Sequence, residues 1–204
     1  MIRGDLSNRV IHLTSRETSA ESPVLQDRVA ITKFLSILYG RHLNGGIRNI
    51  RGGYRCVCFS EAPITVLARM LADRESRYAP LGVMVDKLWL FAQGGRPVIY
   101  QPEAEYEILP EALRYRHVRY EPDRGNDFSW EREWRLHADR LALNPAETTL
   151  VAPSRAIVDS LKAEHLENQR MAVYDLGEDA AYALQAFEWH FLVLDDLGLD
   201  VDFG

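Results

Sequence analysis

Two glutamates two residues apart, Glu131 and Glu133, followed by Arg135, are the residues of this chain whose types and spacing best suit chemistry. They lie in the stretch 127–136, DFSWEREWRL. Read as a strand, the stretch puts Phe128, Trp130, Arg132 and Trp134 on one side and Ser129, Glu131, Glu133 and Arg135 on the other. Two tryptophans give the first side a large apolar payload to press against a core. The second side sets two like charges together, and each raises the other's pKa, so a sheet gains nothing from the pair itself. Held at the floor of a cleft, a carboxylate pair can stabilise developing positive charge and accept a proton. The competing reading is an exposed edge strand whose arginine partly neutralises its glutamates.

Two other clusters sit on strand-like segments. His12 and Thr14 share a face with Val10 on a strand over 9–14, where a histidine is either structural or part of a site. Ser60 and Glu61 stand at the end of a strand over 54–59, just before a helix that begins at 62–63 and runs to 74. A hydroxyl and backbone N–H groups there either face a ligand or cap the helix. No phosphate signature accompanies them: Gly45-Gly46, Gly52-Gly53 and Gly94-Gly95 open neither a P-loop nor a dinucleotide fingerprint. The six histidines show no ligand spacing, and Cys56 and Cys58 lack the partners a zinc site needs, so no metal is expected. Two residues apart, those cysteines are also too close for an unstrained disulfide.

The pattern predicts further strands over 81–88, 97–101, 114–120, 148–152 and 171–175. It predicts helices over 24–39, 104–113 (interrupted at Pro110), 153–165 and 179–192, the last amphipathic. Asn44-Gly45-Gly46 reads as the stop of the first helix, and residues 89–91 as a turn. Strands without regular β-α-β alternation make an α+β fold and argue against a doubly wound nucleotide fold. A length of 204 residues suits one domain over 1–204. The net charge of −6 argues against a general grip on nucleic acid, although Arg41, Arg48, Arg51 and Arg55 form one cluster and Arg114, Arg116, Arg119 and Arg124 another. With no apolar run of membrane-spanning length and no signal-peptide core, the expectation is a soluble cytoplasmic protein that engages no membrane.

The order and company of the three clusters carry a resemblance. An early His12-Leu13-Thr14 strand, a Cys58-Phe59-Ser60-Glu61 strand end and a late Glu131-x-Glu133-Trp134-Arg135 segment resemble AbiGi-like phage-resistance proteins and a related bacterial domain family marked by CFSE and ExEWR motifs. Tyr78 to Val83 and Pro97-Val98-Ile99-Tyr100 are similar to that family's intervening segments, and the likeness runs from about residue 12 to 153. These families are similar in turn to ADP-ribosyltransferases, including DarT-like toxins. That likeness implies an ADP-ribosyltransferase-like fold of split small β-sheets with flanking helices, and NAD as substrate in the cleft between them. His12 would then hold the adenosine ribose with Thr14 beside it, and Ser60 would wall the nicotinamide site. Tyr78 would stack on nicotinamide and Arg135 would hold Glu133 ionised or bind a phosphate. Glu133 would be the catalytic glutamate, with Glu131 as its partner. It further implies an acceptor, protein or nucleic acid, and a cognate toxin or antitoxin partner in phage defence. The alternative under the same resemblance is a non-catalytic antitoxin or regulatory protein of that fold.

Overall fold

Along 56–60 and 133–137 polar and apolar side chains alternate, the period of a strand that buries one face. The computed structural model describes residues 7–16, 22–73, 76–176, 187–199, 201 and 203. Its elements run β1 (Arg9–Ser15), α1 (Pro23–Gly40), β2 (His42–Asn44), β3 (Cys56–Ser60), α2 (Ile64–Ala72), β4 (Tyr78–Asp86) and α3 (Lys87–Ala92). There follow β5 (Arg96–Pro97), β6 (Ile99–Gln101), α4 (Glu111–Arg114), β7 (His117–Arg119), β8 (Glu133–His137), β9 (Arg140–Ala142), β10 (Thr149–Ala152), α5 (Arg155–Leu176) and β11 (His190–Val193).

Among the described residues, seven strands pair in the order β11-β10-β4-β1-β3-β8-β5, all antiparallel except β10 with β11. Two-stranded ribbons, β2 with β9 and β6 with β7, lie apart from it. One face of the sheet is apolar throughout, and the other is apolar where α2 covers it. One face packs Val10, Val83, Val57 and Phe59 with Phe34 and Leu38 of α1 and Leu161 of α5. The other packs Ile11 and Val151 with Leu67 and Leu71 of α2. β1 and β4 share a long register in which Gly82 opposes Leu13. Glycine is needed there, since a Cβ on Gly82 would stand 2.5 Å from the His12 carbonyl oxygen. β3 and β8 pair through five residues, Cys56↔His137 to Ser60↔Glu133. By contrast β1 meets β3 only at Ile11↔Ser60. The fold is therefore α+β, and where the resemblance implies two small sheets, a single residue pair joins the two halves.

Several expected elements differ. The stretch 127–136 is not one strand. The Asp127 carboxylate accepts from the Ser129 N–H at 2.9 Å and from its hydroxyl at 2.6 Å, winding 129–131 into a tight turn. Arg132 then takes a left-handed φ of 45°, and only Glu133 onward is extended. Trp130 is consequently exposed, whereas Trp134 packs on the core. At 87–92 a helix replaces the expected turn, because the Asp86 carboxylate caps the N–H groups of Leu88 and Trp89. The first helix ends at Arg41, left-handed with its N–H on the Ile37 carbonyl, and 42–44 is a strand. Residues 171–175 continue α5 instead of forming a strand. The helix expected over 179–192 falls partly outside the described residues, and its end is the strand β11. Around it Trp189 and Phe191 pack on one core cluster and Leu192 on another, so the short strand is apolar on both sides, a run that periodicity does not distinguish from a helical stripe.

Candidate active site

Strand β8 is fastened on every side by the segments that carry the sequence resemblance. The Ser60 hydroxyl donates to the Glu131 carbonyl and accepts from the Ala62 N–H at 3.1 Å. The Glu61 N–H donates to the Arg132 carbonyl at 3.1 Å. One Glu61 carboxylate oxygen accepts from Trp134 Nε1 and the other from Lys87 Nζ, each at 2.8 Å. From the other side, the Val98 N–H donates to the Glu133 carbonyl at 3.0 Å, and the Tyr100 hydroxyl accepts from the Glu133 N–H at 3.0 Å while donating to the Phe128 carbonyl at 3.3 Å. These bonds fix the backbone at both glutamates, which is what a positioned carboxylate requires.

The face of β3 and β8 opposite the core carries Cys56, Cys58, Ser60, Glu133 and Arg135, and it floors a cavity of about 640 Å³. The cavity has His12 at the seam, Ile11, Leu13, Leu67 and Met70 as an apolar wall, and Arg77, Tyr78, Phe128 and Trp130 on another side. Asn44, Gly46, residues 48–51, Glu103 and residues 117–119 contribute the remaining wall. Six of the seven expected site residues thus meet at one cavity: His12, Ser60, Tyr78, Glu131, Glu133 and Arg135. Thr14 does not. It is buried, and its hydroxyl donates to the Leu81 carbonyl at 3.0 Å.

Arg135 grips Glu133 bidentately, Nε to Oε1 at 2.8 Å and Nη2 to Oε2 at 3.2 Å. Its Nη1 donates to the Tyr115 and His117 carbonyls, both at 2.9 Å. Of its two expected roles, the one seen is the hold on Glu133, because almost every donor of a buried guanidinium is already engaged. Glu131 is buried and turns one oxygen toward Arg77 Nη2 at 2.8 Å and the Tyr78 hydroxyl at 3.2 Å. Burial raises its carboxyl above the usual range, with Arg77 opposing and the charge of Glu133 adding to the shift. Burial likewise raises the Tyr78 hydroxyl, so it stays a donor.

The His12 Nδ1 lies 2.8 Å from the Cys58 carbonyl oxygen, and the ring stands edge-on to Phe59 at 5.9 Å. Burial holds the imidazole below its ordinary value, partly offset by that carbonyl. The neutral ring must therefore place its proton on Nδ1, which leaves Nε2 as an acceptor. The cysteines on the floor are poor nucleophiles. Burial pushes Cys56 up to about 11, Arg135 opposing, and pushes Cys58 up as well, the charge of Glu133 adding to it.

Among the described residues no group of three or more His, Cys, Asp or Glu is placed to hold a metal, and no helix is long and apolar enough to cross a membrane. Six of the eight arginines in the two clusters pair with carboxylates, Arg41 with Glu188 among them. Arg51 pairs with Glu103 and Glu107, Arg114 with Glu107, Arg119 and Arg124 with Glu121, and Arg55 with Asp139. Sequence pattern did not single out Arg77, Lys87 or the partnership of Glu61 with Trp134. Each acts across elements remote in sequence, and the one local signal was the nearness of Arg77 to Tyr78. Comparison of the chain with protein-family models, with curated proteins and with solved structures finds no match.

Proposed function

We propose that the cavity binds NAD and that the protein is an ADP-ribosyltransferase, with Glu133 stabilising the positive charge that grows on the ribose as the bond to nicotinamide breaks. The observation that carries this reading is the convergence of the His12, Ser60 and Glu131–Glu133 segments, far apart in sequence, on the adjacent strands β1, β3 and β8 around one cavity. A volume of about 640 Å³ falls in the range that small-molecule and cofactor sites occupy.

Displacement at an N-glycoside passes through an oxocarbenium-like transition state, as in glycoside hydrolysis. A fixed carboxylate beside the ribose favours that state over the ground state. Arg135 takes one lone pair from each Glu133 oxygen and leaves others for a ribose hydroxyl. His12 Nε2 supplies an acceptor for a second hydroxyl, and the Tyr78 ring offers an aromatic face. Glu131 serves as the base toward an acceptor, protein or nucleic acid, whose nucleophile must lose a proton. The bidentate hold of Arg135 on Glu133 and the internal engagement of the Ser60 hydroxyl favour the second reading, a non-catalytic partner protein of a phage-defence pair.

The test is turnover of NAD by wild type and Glu133→Gln. Nicotinamide release that falls about 10²–10³-fold in the variant, with thermal protection by NAD retained, supports transfer. A folded wild type that neither binds NAD nor releases nicotinamide overturns it and leaves the partner protein.

A further inference from the structure

Glu131 is held through one oxygen only. Its Oε1 accepts from Arg77 Nη2 at 2.8 Å and from the Tyr78 hydroxyl at 3.2 Å, and the same Arg77 nitrogen donates to the Tyr78 oxygen at 2.7 Å. The guanidinium also lies over the Tyr78 ring, 4.7 Å from its centre. Oε2 has no hydrogen-bond partner among the described residues, yet Glu131 lines the cavity. The carboxylate is thus clamped at one oxygen and open at the other. The clamp is itself anchored: the Arg77 carbonyl accepts from the Arg16 N–H at 2.8 Å, and the buried Arg16 guanidinium donates to the carbonyls of Asp73, Ser76 and Tyr78 on either side. Arg16 in turn pairs with buried Asp27 at 2.9 Å.

We infer that Arg77 is a positioning residue for the reaction, holding Glu131 ionised and aiming its free oxygen into the cavity. This rests on the transferase reading for its catalytic consequence, and on geometry alone for its effect on Glu131. The charged and titratable groups that act on Glu131 are Arg77, Tyr78, Glu133 and, from β6 on the other side of β8, Tyr100. Arg77 is the one of them that brings a positive charge, so its loss leaves burial and Glu133 opposed by the Tyr78 hydrogen bond alone.

The experiment is the ¹³C titration of the Glu131 carboxyl, assigned by its absence in Glu131→Gln, in the free wild type, Arg77→Met and Arg77→Lys. The midpoint moves upward in Arg77→Met and returns most of the way in Arg77→Lys, which restores the charge. An unmoved midpoint in a folded Arg77→Met overturns the inference whether or not NAD is turned over. In parallel, nicotinamide release by Arg77→Met shows kcat down about tenfold or more, KM for NAD within about twofold, and the acid limb of the pH profile moved upward. A kcat and acid limb equal to wild type overturn the catalytic half. A wild type without any release marks failure of the transferase reading instead, and the titration still decides the role of Arg77.

Discussion

The two seams that flank β3 are built differently. Toward β8 the ladder is continuous over five residues and reinforced outside it by Ser60, Glu61, Val98 and Tyr100, so the backbone beneath both glutamates is bonded on two sides. Toward β1 it holds at Ile11↔Ser60 alone, and side chains take over. The His12 imidazole reaches the Cys58 carbonyl, which would otherwise be an unpaired edge group. Across the cavity, Arg77 and Tyr78 at the start of β4 reach Glu131. One seam is rigid through its backbone, while the other is spanned by side chains and opens into a cavity. A cleft between strands needs such a place, since a fully paired ladder leaves no room for a ligand.

The largest way to break the contrast is at the rigid seam. Arg135→Met leaves Glu133 without its partner and also strips the Tyr115 and His117 carbonyls of a donor. Removing one member of a buried pair costs about 3–5 kcal/mol. The exposure of Glu133 near 14% puts this case toward the lower end. Urea unfolding of the variant against wild type reads the loss directly. A smaller effect is expected from Trp134→Phe, which keeps an aromatic ring on the core but loses the Nε1–H donor to Glu61 and part of the ring volume. Lys87 still holds that carboxylate, so the cost is about 1–2 kcal/mol, one hydrogen bond to a partly satisfied charge plus the packing lost with the larger ring. A loss near that of Arg135→Met would mean that Trp134 organises the seam as much as the ion pair does.

The rigid seam was also the more legible part of the molecule. Alternation along 56–60 and 133–137 follows from core burial on one face, and the adjacency of Glu131 and Glu133 is a matter of sequence. The turn at 129–131 was hidden because Asp127 competes through its side chain for the backbone, an outcome strand periodicity does not encode. It moved Trp130 out of the core yet left both glutamates on the cavity. The Asp86 cap was visible as a residue type but masked by the apolar run around it. Contacts across the side-chain seam were the least legible. Nothing local marks Arg77 as the partner of a glutamate 54 positions away, or Thr14 as a donor to Leu81 in place of a ligand.

The smallest prediction sharpens the comparison through pH. His12→Asn removes the imidazole bond to Cys58 and its edge contact with Phe59, at a cost of about 1 kcal/mol near pH 8. Burial lowers the folded-state pKa of His12 below the ordinary 6.5. As pH falls through 6.5 the unfolded chain takes up the proton first, so wild-type stability declines until the folded-state value is passed. The asparagine variant has no such proton to bind. The stability gap between the two proteins therefore narrows on acidification, read as paired urea unfolding at pH 8 and pH 5. A gap that stays constant would mean that the seam tolerates a charged imidazole, and then side-chain bridging would not be its weak point. A narrowing gap at His12 would locate an acid-labile side of the cavity at the β1 seam.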